Sequence, residues 1–369
     1  MIAAHTDVVG SLLRSPALLK ARDDWSAGKL SHAQFKAIED RAVDEAVALQ
    51  EAAGLDIVTD GEMRRLSFQS QMTEAVEGFG RWDIDAFLWG DWRGDGAAGE
   101  RKRLRPPDLG VAGKLTRKRH LAGEEFVYLR GRTRRIPKVT LPSPSLFVNF
   151  WSPERSQSAY ASLDHFLADI VTILRDEVAE LVRLGATYIQ IDAPHYPLLL
   201  APETRAFYEA RGWTLDQYLS RGIELDNAVM AGFAGVTFAI HLCRGNQEGR
   251  WLVEGDYEPI ARPIFERIAA RRLLLEYDDA RSGSFAPLRY VPEDKMVVLG
   301  LISTKRRQTE ALEDLACRVM EASRIVPLER LALSPQCGFA SSILGNDLSV
   351  EDQRRKLETL CKTARRIWG

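Results

Sequence analysis

Apolar residues recur along the chain in two alternating rhythms. Short runs rich in β-branched and aliphatic residues stand at Val8-Val9, Asp56-Ile57-Val58-Thr59, Lys138-Val139-Thr140-Leu141 and Tyr188-Ile189-Gln190-Ile191, and each predicts a strand. Four more follow, at Val236 to His241, Leu273 to Glu276, Met296 to Leu301 and Leu331 to Ser334. Most are near-continuous apolar runs, as parallel strands covered by helices require. Between them the spacing turns helical. Ser31 stands three before Gln34 as a capping-box start, Phe35, Ile38, Ala42, Ala46 and Leu49 continue the apolar face, and Gly54 marks the stop. Leu163, Phe166, Ile170, Ile173, Leu174, Val178 and Leu181 repeat the pattern before Gly185, as do Leu312, Leu315, Val319 and Met320 before Pro327.

Eight strands with long helical connections predict an α/β fold and, within it, a (β/α)8 TIM barrel; periodicity alone leaves an open doubly wound sheet as the alternative. A single domain is expected over residues 1–369, with a basic insertion after the second strand at about 78–137. Basic residues there outnumber acidic ones more than twofold from Arg93 to Arg135, and the run Phe126-Val127-Tyr128-Leu129 has strand character, so β-hairpins are expected. The cluster Arg101-Lys102-Arg103-Leu104-Arg105 could suggest nucleic acid but reads as a solvated hairpin, with a docking surface for an acidic partner protein as a further alternative. The whole chain carries 50 Lys and Arg against 52 Asp and Glu, a net charge of -2. That balance gives no field to draw it onto nucleic acid or an anionic membrane.

No apolar run approaches the roughly 18 residues of a bilayer span. The start, Met1-Ile2-Ala3-Ala4-His5-Thr6-Asp7, has neither the basic nor the apolar part of a signal peptide, so a cytoplasmic location is expected. Four cysteines, Cys243, Cys317, Cys337 and Cys361, are too few for a disulfide framework in a chain of 369 residues. As thiols they are available to a metal.

Polar residues gather where the apolar part of each strand ends: Thr59-Asp60-Gly61-Glu62, Asp192, His241 with Cys243, Glu276, and Cys337. Barrel active sites are built at that end. His241 and Cys243 lie two apart, so on an extended backbone both side chains project to one side. Two thiolates, an imidazole and a carboxylate form the borderline-soft donor set that suits zinc better than magnesium or iron. A bare His-x-Cys pair is also what a core histidine and a small hydrophobe look like, and Cys317 and Cys361, on helical patterns, read that way. The buried carboxylate at Glu276 is what favours metal, since such a group needs a partner.

These residues carry a resemblance. His241-Leu242-Cys243-Arg244-Gly245-Asn246, Leu275-Glu276-Tyr277, Leu333-Ser334-Pro335-Gln336-Cys337-Gly338, Thr59-Asp60-Gly61-Glu62, Ile189-Gln190-Ile191-Asp192 and Val9-Gly10-Ser11 resemble, in order, the signatures of the cobalamin-independent methionine synthase family. The match runs from about residue 5 to residue 345, the size of short members that have only the catalytic C-terminal barrel. The resemblance implies a zinc ion held by His241, Cys243, Glu276 and Cys337, which presents the thiol of homocysteine to a methyl donor and so yields methionine. It also implies that Glu62 and Asp192 serve the reaction by holding the amino group, while Ser11 and the backbone at Val9 and Gly10 meet the carboxylate.

A free thiol with a pKa of about 8.5 is only a few per cent ionised at neutral pH, so full ionisation gains roughly thirtyfold. Nucleophilicity lost with the falling pKa returns close to a factor of ten. Holding sulfur and methyl carbon in line is therefore the larger effect, with effective molarities of about 10⁵ M or more available.

The sequence departs from the family pattern at Asp192-Ala193-Pro194-His195, where family members usually have an acid after the Asp and folate users another a few positions on. Asn149-Phe150-Trp151 resembles the aromatic segment that stacks on pterin and makes Trp151 a candidate donor contact. The donor is accordingly expected to be a methylated folate or a methylated corrinoid, the latter on a carrier protein docked at the insertion. Two other functions share the same residues. One is an alkyl transferase that opens an epoxide with a zinc-bound thiol such as coenzyme M; the other is a non-catalytic metal-binding barrel.

Overall fold

The computed structural model describes residues 2–80, 90–95, 102–104, 110–210 and 213–369. Its strands, in chain order, are β1 (Ile57–Val58), β2 (Val76–Phe79), β3 (Gly90–Trp92), β4 (Lys102–Leu104), β5 (Val111–Arg117), β6 (Ile136–Pro137), β7 (Val139–Pro142), β8 (Tyr188–Asp192), β9 (Thr237–Leu242), β10 (Arg272–Glu276), β11 (Met296–Ile302) and β12 (Leu331–Pro335). The fold is α/β, as the alternation of patterns requires. β7 to β12 form one parallel sheet in sequential order, with helices between successive strands.

Register decides where the polar strand ends fall. Asp192 lies opposite His241, and Glu276 opposite Gly300, which in turn faces Ser334. Because parallel strands all point the same way, these residues share one edge of the sheet. Beyond the six strands, β1 pairs in parallel with β6, and Thr6 bridges in parallel to Leu333. The stretch before Val8-Val9 thus touches β12 through Asp7 N to Leu333 O and Leu333 N to His5 O, at 2.9 and 2.8 Å. Thr6 Oγ1 donates to Asp56 next to β1, at 2.8 Å. A small apolar cluster of Val9, Ile57, Tyr188, Ala239, Leu274, Met296, Val298 and Ala332 draws side chains from this N-terminal stretch, β1 and β8 to β12.

The helices form where their caps predict. Ser31 Oγ accepts from Gln34 N at 3.3 Å while Gln34 Oε1 accepts from Ser31 N at 2.9 Å, and Gly54 closes the helix His32–Ala53 in the left-handed region at φ +96. The expected helices at Leu163–Arg183 and Leu312–Ala322 are present too. Among the described residues, no helix is long and apolar enough to cross a membrane.

The insertion contains two antiparallel pairs, β2 with β5 and β3 with β4, as hairpins require. Arg101 and Arg105 lie outside the described residues. Phe126-Val127-Tyr128-Leu129, expected as a strand, is instead part of the helix Gly123–Arg130. The reason is visible locally: Phe126 and Leu129, three apart, are buried while Val127 is 45% exposed, a helical rather than alternating pattern. Glu124 and Glu125 in the first turn and Arg130 in the last complement the helix dipole.

Gly300 is where backbone must come close. A Cβ there would stand 2.7 Å from Gln336 Cα and 2.8 Å from Leu275 O, both on backbone that leads to the site residues Cys337 and Glu276. Gly300→Ala is expected to cost about 1–3 kcal/mol of stability through overpacking, read from urea unfolding; a loss below about 0.5 kcal/mol would show that the strands can part freely.

Candidate active site

At the shared edge the structure brings His241, Cys243 and Cys337 together, all buried, with ligand atoms within 4.8 Å of one another. The two sulfurs are 3.8 Å apart. His241 ends the apolar run of β9, and Cys243 follows two residues on, so the pleat sends both the same way while Leu242 turns into the core. Tyr257 fixes this strand end to its neighbour: its hydroxyl donates to Leu242 O at 2.9 Å and accepts from Glu276 N at 3.0 Å. Cys337 arrives on the turn after β12, where Gln336 N donates to Ile302 O and Asn246 Nδ2 donates to Gly338 O.

Both ring nitrogens of His241 are buried with no oxygen or nitrogen partner, and the polar group that reaches the ring is the Cys337 sulfur. Buried polar atoms are normally paired, and leaving one unpaired costs about 1–3 kcal/mol. Next to two thiols, such an imidazole fits a soft divalent ion and does not fit a satisfied core histidine. The neighbouring Cys243 thiol, with His241 and Lys305 adding to it, holds Cys337 well below the ordinary thiol value despite burial. Cys243 is raised by the Cys337 sulfur and by burial.

Glu276 stands apart from this trio. Its Oε2 accepts from Arg244 N at 2.7 Å, and its Oε1 lies 3.2 Å from Lys305 Nζ, with both side chains fully buried. Burial alone would raise its pKa, but Lys305 and Arg244 outweigh it and hold the carboxyl below its usual range. Glu276 is an anion already paired with a cation, and the group of close donors has three members.

Four of the remaining predicted residues, Val9, Ser11, Glu62 and Asp192, line one cavity with the trio. Glu62 is presented by a strained turn. Gly61 and Glu62 both have positive φ, at +69 and +56, and Asp60 Oδ1 accepts from Glu62 N at 2.9 Å to fix the bend. Thr140 donates to Glu62 Oε1 at 2.9 Å, while Oε2 is buried without a partner. Gly10 does not itself line the cavity; it makes room, since a Cβ there would meet Glu62 Oε1 at 2.5 Å. The bare Gly338 likewise admits Ser11, whose Oγ would be 2.0 Å from a Cβ. Asp192 ends β8, and burial pushes its carboxyl up to about 7.

Trp151 is placed elsewhere. It does not line the cavity, and its ring packs on Phe166 with centroids 6.2 Å apart, so its role is in the apolar core. The cavity takes a different aromatic residue, Trp92 of β3, which is 2% exposed. Arg93 pairs its backbone with Trp251 in both directions, at 2.7 and 2.9 Å, and so straps the insertion across the site. Lys305 and Trp92 were both missed by sequence reasoning. Lys305 follows the apolar run of β11 and was accessible to the same strand-end rule; Trp92 sits in a segment with no periodicity to place it.

The family profile described as "Cobalamin-independent synthase, Catalytic domain" matches residues 4–346. The chain belongs to the cobalamin-independent methionine synthase family. Membership of this family makes it a methyltransferase by class. "Uncharacterized protein YxjH" of Bacillus subtilis (strain 168) is 33% identical over 369 residues, 99% of this chain and 94% of the relative. "5-methyltetrahydropteroyltriglutamate--homocysteine methyltransferase" of Syntrophotalea carbinolica is 26% identical over 337 residues, 90% of this chain and 40% of that longer protein. Among solved structures, the putative vitamin-B12 independent methionine synthase from Listeria monocytogenes superposes with a TM-score of 0.73 at 26% identity, covering 99% of this chain and 98% of the other.

Within this family site, Cys243→Ser and Cys337→Ser are each expected to lower bound metal by at least about tenfold after dialysis, because thiolate donors dominate soft-metal affinity. Cys317→Ser, at an exposed position far from the trio, is expected to retain the wild-type metal content by elemental analysis. Equal losses in all three would remove the trio as the metal site.

Proposed function

We propose that this protein is a zinc-dependent thiol S-methyltransferase that converts homocysteine to methionine. Its strands would close into a (β/α)8 barrel forming a single catalytic domain, with the insertion over the mouth. The contacts of Thr6 with Leu333 and Asp56, and the apolar cluster shared by the N-terminal stretch, β1 and β8 to β12, support that closure.

The observation that carries the functional reading is the cavity's charge. Glu62 and Asp192, both buried, face the same space as His241, Cys243 and Cys337, and no Lys or Arg is among the described lining residues. Arg65 stands 3.7 Å from Glu62 Oε1 outside that lining, so Asp192 and the unpartnered Glu62 Oε2 are the acceptors left for a cation, and the ammonium group of an amino acid would supply one. A sulfonate thiol such as coenzyme M would meet repulsion instead. His241, Cys243 and Cys337 would hold the zinc, with Glu276 beside them as the fourth candidate. When bound, the ion would supply a thiolate at neutral pH.

The chain's own residues then do the positioning. Glu62 and Asp192 would fix the ammonium end, and Ser11 with the backbone amides around Gly10 the carboxylate end, so that the sulfur is held at one point of the cavity. Trp92 and Phe68 line the same cavity and would exclude water from the methyl transfer. The donor is a methylated folate or a methylated corrinoid; the name of the Syntrophotalea relative gives the first. A reducing compartment is needed to keep Cys243 and Cys337 as thiols, and the cytoplasm is the compartment proposed.

The test is a product assay on zinc-loaded protein. Homocysteine with a methyltetrahydropteroyl glutamate or with methylcobalamin is expected to give methionine with at least one donor, while coenzyme M with an epoxide gives no alkylated product. Alkylated coenzyme M from a protein inert toward homocysteine would contradict the assignment.

A further inference from the structure

Beneath Asp192 a chain of buried polar groups runs away from the cavity. Gln190 precedes Asp192 by two on β8, so the pleat places both side chains on one face. Gln190 Nε2 donates to Asp192 Oδ1 and to Val9 O, each at 2.7 Å, and its Oε1 accepts from Lys138 Nζ at 2.6 Å. Lys138 is held in turn by Asp7 Oδ1 at 2.7 Å and by the Val8 carbonyl. Asp7 Oδ2 accepts from Tyr188 Oη at 2.6 Å and pairs with Arg272 Nη2 at 3.3 Å. The side chains of Asp7, Lys138 and Arg272 are fully buried.

An amide side chain has two ends of nearly the same shape, and only its partners decide which end goes where. Turned over, Gln190 would set its NH₂ against the Lys138 ammonium and its oxygen against the Asp192 carboxylate and the Val9 carbonyl. All three contacts would then be repulsive. A buried ion pair contributes little net stability relative to apolar side chains of the same volume, so Lys138 and Asp7 are poorly explained as a stabilising device. Fixing the orientation of the amide takes a donor at its oxygen, which Lys138 supplies, opposite the two acceptors at its nitrogen.

We propose that Gln190, its amide oriented by the Lys138–Asp7 pair, is a positioning residue that holds Asp192 for the ammonium end of the substrate. This rests on the reading of Asp192 given above. The substrate class follows: thiols that carry an amine are favoured over thiols of the same length without one.

Zinc-loaded wild-type, Gln190→Met, Gln190→Glu, Asp192→Asn and Gln190→Met/Asp192→Asn proteins would be titrated calorimetrically with homocysteine and with 4-mercaptobutanoate, which keeps the thiol and carboxylate but lacks the ammonium. Gln190→Met is expected to weaken homocysteine about tenfold, the loss of one hydrogen bond to a charged group. It should leave 4-mercaptobutanoate and metal content unchanged, and should add little to Asp192→Asn in the double variant. Gln190→Glu keeps an acceptor for Lys138 but offers no hydrogen to Asp192, so it should show the same selective loss and carries the test if Gln190→Met does not fold. Equal weakening of both thiols, or losses that multiply in the double variant, would overturn the positioning role. Asp192→Asn weakening homocysteine beside an unaffected Gln190→Met would overturn that role alone. Wild-type binding by Asp192→Asn would overturn the reading of Asp192 and the positioning role with it.

Discussion

A buried imidazole set against two thiols, with no oxygen or nitrogen partner for either ring nitrogen, is the constraint around which the site is organised. In a closed apolar core His241 would be a liability, because each orphaned polar atom costs free energy that the surrounding packing does not return. Its two neighbours are sulfurs and not hydrogen-bonding oxygens. The arrangement makes sense when the missing partner is a soft cation. The rest of the fold serves to hold these three donors together: Tyr257 ties the ends of β9 and β10, Asn246 anchors the Cys337 turn, and Gly300 lets backbone from β10 and from the turn after β12 approach.

Electrostatics divide the surroundings into two. On one side Glu276 is paired with Lys305 and with the Arg244 amide, and its negative charge is secured by that pairing. On the other, Glu62 and Asp192 face the cavity with no cation among the described residues that line it. The first carboxylate is satisfied by the protein itself. Glu62 has Arg65 3.7 Å behind its Oε1 but leaves Oε2 without a partner, and Asp192 is held by the neutral Gln190, so a positively charged ligand end is the natural complement on the cavity side.

Most of this was readable from strand-end positions. The apolar runs ending at Asp192, His241, Glu276 and Ser334 located β8, β9, β10 and β12, and parallel register then forced their polar ends to one edge. What the sequence left hidden has physical causes. Four residues, Phe126 to Leu129, are too few to separate alternation from helical spacing, and the acidic first turn decided for helix. Glu276 was expected as a ligand, and the one-dimensional pattern gave no sign that Lys305 would reach the same carboxylate. Trp151 was expected at the cavity and Trp92 was missed for a similar reason. Burial against Phe166 removes the first from the cavity, and a strap pinned to Trp251 delivers the second.

The most direct measurement of the central claim is zinc-edge X-ray absorption on the purified protein, with and without homocysteine. One ion per chain with two sulfur and at least one nitrogen neighbour, rising to three sulfurs when homocysteine is added, is the predicted result. A protein that takes up far less than one zinc per chain, or one whose sulfur count is unchanged by saturating homocysteine, would contradict the account.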